Sequence, residues 1–178
     1  MPGATKDAAA KERGTAASMI TLHAIDENSK ELFRQLFNLY HHDLALLDPS
    51  LFPAIDDKGF YDYTAIEEYF NPEIRDKIFL YLIRCDDGIA GFCVISQAPY
   101  VKTGCDYCIQ EFFITGNRRR QGLGREACQT LFTRHQGRYS LYVIEENITA
   151  QTFWTKLIGE VGREIVMEKD RTVFTFTV

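Results

Sequence analysis

Arg118, Arg119 and Arg120 run into Gln121-Gly122-Leu123-Gly124 where a strand-like stretch, "DYCIQEFFI" (106–114), gives way to a helix-like one (122–135). Two glycines in the first turn of a helix cost about 1 kcal/mol each relative to alanine, so something should offset them. A helix start offers unpaired N–H groups and a partial positive charge. Glycine has no Cβ, so a phosphate approaches those N–H groups closely. Arg118, Arg119, Arg120 and Arg125 add positive charge nearby. Strand, basic turn, glycine and helix together suit diphosphate binding. Two plainer explanations stay open: the glycines serve helix–strand packing, and the arginines form a solvated turn. Two other phosphate-binding patterns, G-x-x-x-x-G-K-[ST] and G-x-G-x-x-G, are absent here.

The elements that must position this turn follow from periodicity. "ITLHAI" (20–25) alternates as a strand does, and residues 28–47 carry Phe33, Leu36, Phe37, Tyr40, Leu44 and Leu47 at helical spacing. Pro49 and Pro53 end that helix. A loop covers 48–62, and "YTAIEEYF" is a short helix before Pro72. "KIFLYLIRC" and "IAGFCVISQ" flank Asp86-Asp87-Gly88, a hairpin signal. The run 106–114 is apolar on both faces except at Gln110 and Glu111, as expected of a central strand covered on both sides. Leu123, Ala127 and Leu131 line one side of the next helix, with Cys128 and Phe132 beside them. "YSLYVIE" (139–145) is a strand, and Ala150, Phe153, Trp154, Leu157 and Ile158 mark a last helix. "REIVMEKD" and "RTVFTFTV" form a hairpin turning at Lys169-Asp170. The order β-α-α-β-β-β-α-β-α-β-β predicts an α/β (α+β) fold: a mixed sheet of about seven strands flanked by about four helices.

Length and composition set the bounds. The 178 residues fit one domain, here 19–178, behind an extension at 1–18 that lacks the apolar core of a secretory signal. With 46% hydrophobic and 25% charged residues, the chain is globular. Its net charge of −5 disfavours broad nucleic-acid binding. No apolar run approaches the ~18 residues a membrane helix needs. Five cysteines, Cys85, Cys93, Cys105, Cys108 and Cys128, are an odd count, three of them in apolar runs, and read as reduced thiols of a cytoplasmic protein. Cys105-Asp-Tyr-Cys108 has C-x-x-C spacing without a second ligand pair, so no metal site is expected.

"RRQGLG" (119–124) resembles the [R/Q]-x-x-G-x-[G/A] motif of the GNAT N-acetyltransferase superfamily, and it stands directly after the central strand, as in that family. "ENITAQTFWTKLI" (146–158) resembles the family's downstream N-x-x-A-x-x-F-Y-x-K segment, with Asn147, Ala150, Phe153 and Lys156 in place. The resemblance implies acetyl-CoA as co-substrate and direct transfer to an amine. It implies that the backbone from Arg119 through Arg120, Gln121, Gly122 and Leu123 to Gly124 holds the pyrophosphate. It further implies that the Phe113 and Ile114 backbone pairs the pantetheine amides, and that Arg125, Asn147 and Trp154 complete the cofactor contacts. The thioester then sits where strands 106–114 and 139–145 diverge. Trp154 stands where the family often has a tyrosine; an indole N–H donates a hydrogen bond but delivers no proton.

The candidate base is Glu111, on the strand beside that thioester and between apolar neighbours that raise a carboxyl pKa. Its plainer reading is a carboxylate paired with a cation. Glu145, Tyr40, His41 and His42 are weaker candidates: Tyr40 is expected in the core, and both histidines on a solvent-facing helix flank. Residues 38–72, with Asp43, Asp48, Asp56, Asp57, Tyr61, Asp62 and Tyr63, are the expected acceptor region. They suit a cationic small-molecule or peptidyl amine, or are ordinary loop residues. Two other functions stay open: a non-catalytic acyl-CoA-binding module, and a polyanion binder using Arg118 to Arg120. A homodimer is compatible with the sequence, which leaves the oligomeric state open.

Overall fold

A computed structural model of the chain describes residues 19–51, 54–61, 65–86, 88–159, 163–168 and 171–178. The elements occur in the predicted order: β1 (Ile20–Ala24), α1 (Lys30–Ala45), α2 (Ala65–Tyr69), β2 (Ile78–Cys85), β3 (Gly88–Gln97), β4 (Tyr107–Ile114), α3 (Leu123–Arg134), β5 (Arg138–Ile144), α4 (Ile148–Ile158), β6 (Arg163–Glu168) and β7 (Arg171–Thr177). They form one seven-stranded sheet ordered β1-β2-β3-β4-β5-β7-β6. The expectations for residues 1–18, Pro53, Asp62, Tyr63, Asp87, Lys169 and Asp170 fall outside the described residues.

Each helix buries the stripe its sequence spells out. On α1 the buried positions are Phe33, Leu36, Phe37 and His41. The three apolar ones join Ile66 and Phe70 of the α2 region, and Leu80, Leu82, Phe92, Val94 and Phe113 of the sheet, in one apolar cluster. On α3 the stripe is Leu123, Ala127, Cys128 and Leu131. It packs with Trp154, Leu157 and Ile158 of α4 and with Tyr139, Leu141, Phe174 and Phe176 in a second cluster. The helix predicted over 28–47 begins later, because Asp26 and Ser29 form a capping box around a 3-10 turn at Glu27–Ser29.

Two irregularities shape the middle of the sheet. In the β2–β3 register Ile83 faces Gly91 but Arg84 faces Ile89, so Ala90 is an extra residue. Gly91 then crosses so close to β4 that a Cβ there would fall on the Phe113 carbonyl oxygen. Replacing Gly91 with alanine is expected to destabilise the fold by about 3 kcal/mol or more, because a backbone atom cannot rotate out of the way. Urea unfolding measures this; a loss below about 0.5 kcal/mol would mean that β3 and β4 cross more loosely. The second irregularity is in β4: Val94 faces Glu111 but Ile95 faces Ile109, so Gln110 is the bulged residue. The adjacent polar pair Gln110-Glu111 is the sequence signature of that bulge.

Candidate functional site

β4 and β5 are parallel neighbours only over Tyr107–Ile109, opposite Tyr139–Leu141. Beyond the bulge β4 stays with β3, while β5 continues pairing with β7 as far as Ile144. The two strands therefore part. The opening holds a cavity of about 110 Å³. Gln110 and Phe112 border it from β4, Leu141 to Ile144 from β5, Ala150 and Trp154 from α4, and Tyr40 and Leu44 from α1. Because α4 packs in one core cluster and α1 in the other, the cavity runs between the strands from one side of the sheet towards the other. A wider recess of about 380 Å³, bordered by Lys77, Gln97, Cys105, Asp106 and Tyr107, lies at the opposite end of β4. It is away from both the glycine turn and Glu111.

The β4 edge facing the opening differs from expectation at one residue. Thr115 N–H donates to Ala90 O at 2.9 Å, and backbone groups alternate along a strand. Phe113 therefore turns its N–H and C=O to β3, and the backbone groups facing the opening are those of Phe112 and Ile114. The Ile114 carbonyl already accepts from Arg119 Nε at 2.7 Å. The resemblance implies Phe113 and Ile114, neighbours whose backbone groups point to opposite edges of the strand.

The glycine turn is built as an anion cradle would be, with the two glycines doing different work. Gly122 is the N-cap of α3 at φ 84°, in the left-handed region, and a Cβ there would find only Glu126 Oε1 at 3.8 Å. Conformation, not crowding, calls for glycine. Arg120 also has positive φ, at 64°. At Gly124 a Cβ would stand 3.4 Å from the Phe153 ring and 3.6 Å from Ile114, so this glycine lies within ordinary contact distance of α4 and β4. Among the described residues, the N–H groups of Gln121, Gly122, Leu123 and Gly124 donate to no acceptor. They stand at the positive end of the α3 dipole.

The arginines divide. Arg119 turns its guanidinium away from the helix start, to Asp43 of α1 and over the Phe113 ring at 5.5 Å. Arg118 reaches back to Gly88 on β3. Arg120 and Arg125 are exposed at the turn and in the first turn of α3.

Glu111 meets phenols instead of a cation. Tyr69 O–H of α2 donates to its carboxylate at 3.0 Å, and Tyr40 O–H of α1 donates as well. Burial raises its pKa from the ordinary 4.5 to about 7, against the two hydrogen bonds, which lower it. The folded state thus binds the proton more tightly than the unfolded chain does. The associated stability is full below pH 4.5 and is lost as pH rises through 7. Glu111→Gln is expected to match the wild type near pH 4.5 and to exceed its urea stability at pH 8 by up to about 3 kcal/mol. Equal stabilities at both pH values would show that the carboxyl is not raised.

The remaining candidates resolve as follows. His41 is not on a solvent flank: it is 2% exposed, with Nδ1 3.0 Å from Phe37 O, and burial lowers its pKa. Its spacing from Phe33 and Phe37 was the available signal. His42 is exposed, 3.2 Å from Tyr61 O–H. Tyr40 packs against Phe37, Phe92 and Phe113 as expected of a core residue, yet its edge borders the cavity. Glu145 is exposed beyond β5. Asn147 caps α4 by accepting from Ala150 N–H at 3.0 Å, and also borders the cavity. Trp154 is 5% exposed, edge-on to Phe112 at 5.4 Å and to Phe153 at 5.0 Å. Cys105 and Cys108 are free thiols, and among the described residues no cluster of three metal-binding side chains exists. No helix among the described residues is long and apolar enough to cross a membrane.

Known proteins share this fold. The family model described as "Acetyltransferase (GNAT) family" matches residues 33–159. No curated protein matches the chain by sequence. An acetyltransferase from Thermus thermophilus is similar in structure, with TM-score 0.65 and 16% identity over 90% of this chain and 96% of its own. An acetyltransferase of the GNAT family from Streptococcus agalactiae gives TM-score 0.63 and 16% identity over 89% and 95%. The PaiA N-acetyltransferase of Thermoplasma acidophilum, in complex with coenzyme A, gives 0.57 and 10% over 90% and 99%. At such identities the structures speak for the fold. The family match, spanning the diverging strands, the glycine turn and α4, speaks for more: this chain belongs to the GNAT family of acetyltransferases.

Proposed function

We propose that the protein transfers the acetyl group of acetyl-CoA directly to a primary amine of a small-molecule or peptidyl acceptor. The observation that carries this reading is the cavity between β4 and β5, which joins the α4 side of the sheet to the side where Glu111 stands. The free N–H groups of Gln121 to Gly124 hold the pyrophosphate, helped by Arg120 and Arg125. The Phe112 and Ile114 backbone pairs the pantetheine across the opening. Arg119 fixes the end of β4 against α1 through Ile114 and Asp43. The coenzyme supplies the activated acyl carbon. Glu111 takes a proton from the acceptor, and a backbone N–H at the opening stabilises the tetrahedral oxyanion.

The acceptor side is aromatic: Tyr40, Tyr61 and Tyr69 stand on α1, its following loop and α2. Three of the expected acidic groups are used internally. Asp43 pairs with Arg119, Asp48 accepts from Ser50 N–H and O–H, and Asp56 accepts from Lys58 and Phe60 N–H. Selection of a cationic amine therefore falls to phenol rings and Glu111. Five free cysteines suit a reducing, cytoplasmic setting. Coenzyme A thiol release, measured against spermidine, lysine amide, kanamycin and short peptides, tests the proposal. Tight acetyl-CoA binding with no release across that panel would favour the second reading, a non-catalytic acyl-CoA-binding module. That reading draws on the packing of Trp154 between Phe112 and Phe153, where a proton donor would be useful.

A further inference from the structure

Glu111 does not itself border the cavity, whereas Tyr40 does. The Tyr40 hydroxyl donates to the Glu111 carboxylate, so the phenol stands between the opening and the base. Its ring is fixed by three others: Phe92 edge-on at 5.8 Å, Phe113 at 5.7 Å and Phe37 at 5.9 Å. These contacts hold the ring, and with it the hydroxyl, in place beside the carboxylate. Tyr69, the other donor to Glu111, approaches from α2 and does not border the cavity.

We infer that Tyr40 relays the acceptor's proton to Glu111, so that the base acts through a phenol. This rests on reading Glu111 as the base of an acetyl transfer. In the step, an N–H bond of the acceptor's ammonium breaks and its proton bonds to Tyr40 Oη. Tyr40's own O–H bond breaks and that proton bonds to a Glu111 oxygen. The ammonium becomes a neutral amine, the carboxylate becomes a carboxylic acid, and the phenol is unchanged. The amine's lone pair then attacks the thioester, its second proton leaves with the thiolate as thiol, and Glu111 returns its proton to solvent. The titratable groups facing this pair are Tyr69 of α2, Cys108 of β4 and, 5.6 Å from the Tyr40 ring, His41 of α1.

The test compares Tyr40→Phe, Tyr69→Phe, Glu111→Gln and the Tyr40→Phe/Glu111→Gln double variant, using the amine of the above panel that the wild type acetylates fastest. Both tyrosine variants lose a hydrogen bond to the ionised carboxylate, so both should move the acidic limb of the pH profile upward. Tyr40→Phe should also lower the pH-independent kcat, by about 100-fold and well beyond any loss in Tyr69→Phe, with acetyl-CoA affinity unchanged. Glu111→Gln should lose as much, and the double variant no more than either alone, because the two groups act as a unit. A Tyr40→Phe enzyme that keeps its plateau rate while Glu111→Gln loses it overturns the relay and leaves the base in place. If Glu111→Gln keeps its rate, the base reading falls too; if the wild type releases no thiol with any amine, the transferase reading falls with both.

Discussion

Gly122→Glu is expected to abolish measurable acetyl-CoA binding while leaving the protein folded. Three effects add at this position. The glycine sits at φ 84°, so any side chain costs about 1–2 kcal/mol of backbone strain. The new carboxylate would stand over the N–H groups of Gln121 to Gly124, filling the space a phosphate needs. It would also lie beside Glu126, whose Oε1 is 3.8 Å from a Cβ at 122, so two negative charges would repel the diphosphate. Gly122→Ala separates these contributions, since it carries the strain without charge or reach. By isothermal calorimetry the alanine variant should bind acetyl-CoA within about tenfold of the wild type, as expected for 1–2 kcal/mol. The glutamate variant should bind at least a thousandfold more weakly, with melting temperatures of the two within a few degrees. Unchanged affinity in Gly122→Glu would place the cofactor's phosphates elsewhere.

The sequence was most informative where periodicity and backbone demands coincide. The buried stripes of α1 and α3 stand in the spacing of Phe33, Leu36 and Phe37 and of Leu123, Ala127 and Leu131. Alternation and turn residues located all seven strands. Gly122 was legible as a special backbone position, whereas Gly124 lies beside Phe153 with room for a small side chain. What stayed hidden depends on contacts between distant segments. The bulge at Gln110 inserts one residue into β4, and beyond it the backbone groups of Phe112 and Ile114 face the opening while those of Phe113 face β3. The partners of Glu111 lie on α1 and α2, 42 residues away in the case of Tyr69, and no local pattern links them. Arg119 reads as one more phosphate-facing cation, yet a bond to Asp43, 76 residues distant, turns it towards α1. His41 reads as solvent-facing because it is polar, although its i+4 relation to Phe37 places it on the buried stripe.

Glu111→Gln is expected to lower turnover by about 100-fold and to change acetyl-CoA affinity little. Glutamine keeps the size of the side chain and an acceptor oxygen for Tyr69, so the bulge and both cores remain as they are. It cannot accept a proton. On the proposed reading, acetyl-CoA is held at the α3 N-terminus and by the Phe112 and Ile114 backbone on the β4 edge that faces the opening, not by the Glu111 side chain. The pH profile gives the sharper reading. With a carboxyl at about 7, the wild-type kcat/KM should fall tenfold per unit as pH drops below 7, because the protonated acid is no longer a base. In Glu111→Gln that limb should vanish and only the titration of the acceptor amine should remain, at a position that moves with the amine chosen. Comparing two panel amines of different basicity separates the limbs, since the one belonging to Glu111 stays fixed. If the limb near 7 survives the substitution, the titrating base is another residue and Glu111 holds α1 and α2 to the sheet through Tyr40 and Tyr69.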